Sequence, residues 1–236
     1  MSGSIRLFVN SPLAPGTALA ATPGQAHYLG AVMRRGVGDS LRLFNGVDGE
    51  WEARIEQLRR ATVLLRVVGV QQRAQAEGPD IWLAYALLKR DATDLLIRQA
   101  TELGAGAFHP LITARTNARH TNPERLATIA VEAAEQSERL SLPRLHAPRP
   151  LAELLATWPA GRRLFAAIER SAAPPPPPWV GAAGLLIGPE GGFAAAELDL
   201  LHATPFVTPI GIGPYILRAE TAAIAGLALL LASRHT

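Results

Sequence analysis

Cysteine is absent from the 236 residues, which excludes disulfides, thiolate metal sites and cysteine nucleophiles. Lysine is nearly absent: Lys89 is the sole lysine among 23 basic residues. The longest apolar run, Ala222 to Ala232, is too short for a membrane span and reads as a buried helix. The start, MSGSIRLFVN, lacks an apolar signal core, so no export signal is expected and the cytoplasm is the expected compartment. The six histidines, His27, His109, His120, His146, His202 and His235, show neither HxxxH nor HxH spacing, so no metal site is expected. No GxSxG elbow occurs.

What is present is a globular balance, 48% hydrophobic and 18% charged residues. The length suits one large domain, or a small one beside a medium one. The net charge is +3 and the sequence pI about 9.9. The dominance of arginine reads as GC-rich coding and is equally compatible with RNA contacts, because guanidinium suits phosphate and stacks on bases.

Residues 5–70 read as mostly β. RLFV (6–9) is a short strand, and Ala26 to Arg34 could form one short helix. Ser40 to Asn45 alternates as a strand, GVDG (46–49) is a turn, Glu50 to Gln57 returns, and Thr62 to Val70 is β-branched and apolar. Such short strands suggest a small barrel. QQRAQAEGPD (71–80) is the expected linker, separating domains at 1–73 and 78–236.

Beyond it, strands alternate with helices. The strands are expected at Ile81–Leu88, Ala107–Ile112, Arg163–Ile168, Gly184–Ile187 and Phe206–Ile210. One helix, capped by Asp91, runs to Leu103 and is stopped by Gly104; another is capped by Thr121 or Asn122 with Pro123 in its first turn. Ala194–His202 and Arg218–Ser233 are further helices. This rhythm implies an α/β fold, a parallel sheet covered on both faces.

Two strand–turn–helix units stand out. LLIGPEGGFAAAEL (185–198) runs an apolar strand into Gly188-Pro189-Glu190-Gly191-Gly192. Open α/β sheets bind ligands beyond the carboxyl ends of their strands, and glycines there let a ligand reach the backbone. A plain glycine turn explains the same residues. The segment is neither a GxGxxG fingerprint nor a phosphate loop. In PIGIGPYILRAETAAIAGLALLLA (209–232), Arg218, Glu220 and Thr221 gather at a helix start. Glu220 complements the helix dipole, whereas Arg218 opposes it, pointing to a bound anion or polarised carbonyl.

A third segment, LLIRQATELGAGAFHPLITART (95–116) followed by EAAEQSERLSLPRL (132–145), carries Gln99, Glu102, Glu135, Gln136 and Arg139 on otherwise apolar helices, readable as solvated faces. Arg115, Arg119 and His120 form a modest basic loop. Arg6, Arg34, Arg35 and Arg42 in the N-terminal region, together with Arg115, are the expected RNA-binding residues.

Together these segments resemble the 16S ribosomal RNA uridine-N3 methyltransferase family, often called RsmE. HYLGAVMRRGVGDSLRLFNGVDGEWEARI resembles its PUA-like RNA-binding domain, and KRDATDLLIRQATELGAGAFHPLITART its first knot-domain motif. GPEGGF paired with LRAETA at this spacing is the specific element. The resemblance implies a SPOUT fold with a C-terminal trefoil knot, a homodimer, and S-adenosyl-L-methionine as cofactor. It implies that Ile187, Gly188, Pro189, Glu190, Gly191 and Gly192 form one cofactor loop, and Ile212, Gly213, Ile216, Leu217 and Arg218 the other. The family commonly has a basic residue where this chain has Tyr215, and the five-proline run at 174–178 is unusual.

The implied partner is the small ribosomal subunit, methylated at N3 of uridine 1498 of its 16S RNA. That nitrogen is protonated near neutral pH, so catalysis must remove the proton and delocalise charge onto O2 and O4. Arg218 is the candidate donor to those oxygens, and Glu220 the named proton acceptor. A related SPOUT enzyme acting on transfer RNA or a ribose 2′-hydroxyl, and a non-catalytic RNA-binding module, are the alternatives.

Overall fold

The protein was analysed as a computed structural model that describes residues 5–59, 62–116, 120–168 and 173–235. The chain forms two compact units. The first comprises Met1–Glu77 with Ala134–Ser141, and the second Gly78–Ala133 with Leu142–Thr236.

In the first unit, β1 (Arg6–Phe8), β2 (Ala18–Ala20), β3 (Ser40–Phe44), β4 (Glu50–Arg59) and β5 (Thr62–Arg73) form a sheet in the order β1-β3-β4-β5-β2. Alternation drives it: Val63, Leu65 and Val67 are buried while Leu64, Arg66 and Val68 are half-buried. The Asn45–Gly49 turn is tied by Asn45 Oδ1, which accepts from Val47 N and Asp48 N, and Gly46 and Gly49 both take positive φ. The expected barrel is not a closed ladder. Among the described residues β1 and β2 are the sheet's edges, and β1 pairs with β3 in parallel. The expected helix at 26–34 is instead α1 (Pro23–His27), boxed by Thr22 and Gln25, continuing into a π-helical turn over Tyr28–Val32.

Arg6, expected among the RNA-binding residues, is occupied by protein partners. It is buried, its Nε donates to Glu50 Oε2 at 2.6 Å, and its other nitrogens donate to the carbonyls of Ala134, Glu135 and Arg139. A charge taken out of water must find partners, and Arg6 finds four. Arg42 donates to the other oxygen of Glu50 at 2.9 Å and is half-buried. Glu135 Oε1 accepts from Phe8 N. The polar groups of the 132–145 segment therefore include packing contacts of the first unit, and the contiguous division at 73 and 78 gives way to one that assigns Ala134–Ser141 to the N-terminal unit.

The second unit holds β6 (Ile81–Ala86), α2 (Arg90–Glu102), β7 (Ala107–Ile112), α3 (Pro123–Gln136, which runs into the first unit), β8 (Arg144–Leu145), β9 (Arg149–Pro150), α4 (Leu151–Ala156), β10 (Arg163–Ala167), β11 (Ala183–Ile187), α5 (Ala195–Ala203), β12 (Val207–Pro209) and α6 (Ala219–Ser233). Its strands pair in parallel in the order β12-β10-β11-β6-β7-β8, with β9 also on β7. Apolar side chains fill both faces: Leu83, Leu185, Leu96 and Leu227 in one cluster, Ala84, Leu186, Leu154 and Leu201 in the other. The fully apolar strands are thus explained. Asp91 does not cap α2; Lys89 occupies the cap position without a side-chain bond, and Asp91 lies in the first turn. Asn122 does cap α3, its Oδ1 accepting from Arg125 N. Among the described residues no helix is long and apolar enough to cross a membrane.

Candidate functional site

Because the strands are parallel, β6, β10, β11 and β12 end at one edge of the sheet, where doubly wound folds bind ligands. A cleft opens there. Its walls come from the ends of β10 (Ala167, Ile168) and β11 (Ile187), from the turn after β11 (Gly188, Pro189, Glu190, Gly192, Phe193), and from the stretch after β12 (Ile210, Ile212, Gly213, Tyr215, Ile216, Leu217), closed by Ala219 and Ala222 of α6. Both glycine-rich turns noted in the sequence therefore face one space.

Local chemistry shapes the first turn. Gly192 N donates to Pro189 O at 2.8 Å, and Gly192 takes φ +72. A Cβ on Gly188 would stand 2.8 Å from the Phe193 ring, so the glycine is required by close packing. Glu197 clamps the turn from α5: Oε2 accepts from Ala194 N and Oε1 from Ala114 N, both at 2.8 Å. The second turn is held by the proline run. Pro174 O accepts from Gly211 N at 2.9 Å, and Trp179 Nε1 donates to Leu230 O of α6. Pro174, the first of the five prolines, thus belongs to the scaffold of the cleft.

Gly191 and Arg218 fall outside this lining. Gly191 turns its carbonyl to Arg115, whose Nη1 donates to it at 2.7 Å. Arg218 is the N-cap of α6, is exposed, and makes no side-chain cap bond. It faces a second cleft with Glu220, Lys89 and Asp91, which adjoins the first through Glu190, Ile216 and Leu217. Glu220 Oε2 is buried there with no hydrogen-bond partner among the described residues. Tyr215 and Ile216 are 81% and 75% exposed at the rim.

Of the other arginines, Arg34 is exposed with φ 51, Arg35 is half-buried, and Arg115 is exposed apart from its bond to Gly191. Arg119 lies outside the described residues. Among the described residues no group of three or more acidic or histidine side chains could hold a metal. Sequence reasoning missed Lys89 and Phe193 as wall residues. Position directly after an apolar parallel strand could have flagged Lys89.

The N–H groups of Ile212, Gly213 and Leu217 donate to no protein acceptor among the described residues. Together with Ile187, Ile212, Leu217 and Ala222, they offer an apolar slot edged by free backbone donors. This suits a flat heteroaromatic ligand with polar margins. The fold is a parallel α/β domain with a ligand cleft at its topological edge, joined to a small β unit.

A family model described as an RNA methyltransferase domain matches residues 76–231, and one described as an RNA methyltransferase PUA domain matches residues 22–68. A Rickettsia conorii protein, ribosomal RNA small subunit methyltransferase E, is 34% identical over 230 residues, covering 94% of this chain and 93% of the relative. Its Synechocystis namesake is 36% identical over 223 residues, covering 88% of this chain and 70% of that one. A Legionella pneumophila structure, described as a methyltransferase in complex with bound SAM, superposes with TM-score 0.87 at 30% identity, covering 98% of both chains. The chain belongs to the ribosomal RNA small subunit methyltransferase E family.

Proposed function

We propose that this protein transfers a methyl group from S-adenosyl-L-methionine to N3 of uridine 1498 in the 16S RNA of the small ribosomal subunit. The observation that carries the reading is the pair of glycine-rich turns framing one cleft, with Arg218 and Glu220 in the cleft beside it. The name and title of the relatives above supply the RNA and the cofactor; the wall chemistry is compatible with both.

The residues fit the cofactor. Ile187, Ile212, Leu217 and Ala222 would hold its adenine, with the backbone of the 188–192 and 212–217 turns bonding its polar groups. When bound, the cofactor supplies an electrophilic methyl on a positive sulfonium. The chain's task is then orientation and charge. Arg218, with no competing partner among the described residues, donates to the uracil oxygens as they gain charge. Glu220 takes the N3 proton on Oε2, an oxygen with no competing bond among the described residues. With its proton on Glu220, the uracil N3 would be free to accept the methyl group that the bound cofactor would supply, and Glu220 would later release that proton to solvent. The base leaves its stack to reach this position.

Arg34, Arg35 and Arg115 contribute RNA contacts. The working form is a cytoplasmic homodimer with a SPOUT trefoil knot. Mass spectrometry of 16S RNA from a deletion strain, with and without the restored gene, tests the reaction: 3-methyluridine should vanish and return. Its persistence in the deletion strain overturns the reading. Sedimentation of the full chain at micromolar concentration tests the dimer.

A further inference from the structure

Two further clefts lie beyond the carboxyl end of β6, and among the described residues one residue lines both. The nearer is walled by Lys89, Asp91, Leu95, Glu190, Arg218 and Glu220. The farther is walled by Lys89, Arg90, Asp94, His120, Asn122 and Arg125. Lys89 is common to both walls.

The charges of the two clefts differ. In the nearer one, three carboxylates (Asp91, Glu190 and Glu220) outnumber the two cations (Lys89 and Arg218), which disfavours a phosphate there relative to an uncharged base. In the farther one, Asp94 is ion-paired with Arg125, which leaves Lys89 and Arg90 as cations of that wall with no ion pair among the described residues. Lys89 is exposed, and its ammonium has no ion pair or hydrogen bond among the described residues. It caps α2 by position only, without a side-chain bond, so the helix gives no reason for a cation there; a cation at a helix N-terminus opposes the dipole.

We infer that Lys89 is a positioning residue that binds the RNA phosphate next to the target nucleotide. The target base lies in the nearer cleft, and its neighbour lies towards the farther one. A strand that reaches from one cleft to the other passes Lys89, the residue common to both walls, and brings a phosphodiester beside its ammonium. A lysine suits this as a mobile point charge, where a planar fork is not needed. The inference rests on the methyltransferase reading above for the identity of the base.

Lys89→Met keeps most of the stem and removes the charge; Lys89→Gln is a second uncharged variant, and Lys89→Arg restores the charge. Methyl transfer to small ribosomal subunits from a strain lacking the enzyme gives kcat and KM. Calorimetry gives cofactor affinity, and titration of a single-stranded RNA oligonucleotide of the target sequence gives the salt dependence of binding. Lys89→Met should raise KM roughly tenfold and leave kcat within about threefold, with cofactor affinity unchanged. The slope of log affinity against log salt should fall by about 0.7, the value for one lost phosphate contact on a single strand. Lys89→Arg should recover most of both. An unaltered slope and KM in the uncharged variants overturns the assignment, as does a loss confined to cofactor affinity. If the wild-type chain transfers no methyl, the parent reading fails on its own, and the salt slopes still decide whether Lys89 holds a phosphate.

Discussion

Arg6 and Glu50 form a buried ion pair, Nε to Oε2 at 2.6 Å, with side-chain exposures of 4% and 0%. Arg6 also bonds three carbonyls near the end of α3. The pair makes Arg6 part of the frame of the N-terminal unit.

Glu50→Ala leaves Arg6 buried beside no carboxylate. Removing one partner of a buried pair costs roughly 3–5 kcal/mol. Denaturant unfolding should show a loss of that order, while the RNA affinity of the folded fraction changes little. A variant as stable as the wild type but poor in RNA binding would restore Arg6 to the RNA surface.

Gly188→Ala forces a methyl towards the Phe193 ring, 2.8 Å from the position its Cβ would take. Phe193 lines the cleft proposed for the cofactor, so cofactor affinity should fall tenfold or more, about 1.4 kcal/mol. At Gly191 an added Cβ meets only Arg115, at 3.5 Å, and Gly191→Ala should cost clearly less. Calorimetry on both variants checks the ranking; the reverse order would move the cofactor to the Arg115 side.

Arg218→Ala should keep the fold, because the side chain is exposed and makes no capping bond. Single-turnover rate at saturating RNA should fall roughly 10²–10³-fold, the scale for one preorganised donor. Arg218→Lys should recover only part of that. Normal turnover by Arg218→Ala would remove the donor from the mechanism.

His109 is buried and stacked on His146, ring centroids 4.1 Å apart, and it faces Arg149 Nη2 at 3.2 Å. Burial first, then the positive surroundings of His146, Arg149, Arg144 and Arg162, push its pKa from 6.5 down to about 3. Below pH 6.5 the unfolded chain takes up a proton that the folded imidazole refuses until about pH 3. Keeping His109 neutral therefore favours folding fully above pH 6.5, and this contribution is lost as the pH falls towards 3. His109→Gln should flatten the dependence of the urea midpoint on pH across that window. An equally steep profile in the variant would assign the slope to other groups.

Much of the second unit was legible. Apolar runs such as IWLAYALL and GLLI become strands at nearly the expected residues, because burial on both faces leaves no polar alternation. The strand-to-glycine turns after β11 and β12 also mark the cleft, through Gly188, Gly192 and Gly213, because a parallel sheet brings its strand ends together. Less was legible where strands are short. Arg149–Pro150 pairs with β7 over two residues, below any periodicity, and Leu151–Ala156 is a helix of six residues.

The sequence by itself determined the alternation of the longer strands and helices and the chemistry of the two glycine-rich turns, since these are set within a few residues by periodicity and backbone freedom. Only the tertiary structure decided what the charged side chains do. Arg6 and Arg34 are both arginines of the N-terminal region, yet Arg6 meets Glu50 and three carbonyls from residues 134–139, while Arg34 stays in water. Lys89 acquires its place between two clefts from Glu190 and Arg218 on one side and Arg125 on the other. The energy of a charge depends on its desolvation and on the groups the fold brings within a few ångströms, and neither is set by its neighbours along the chain.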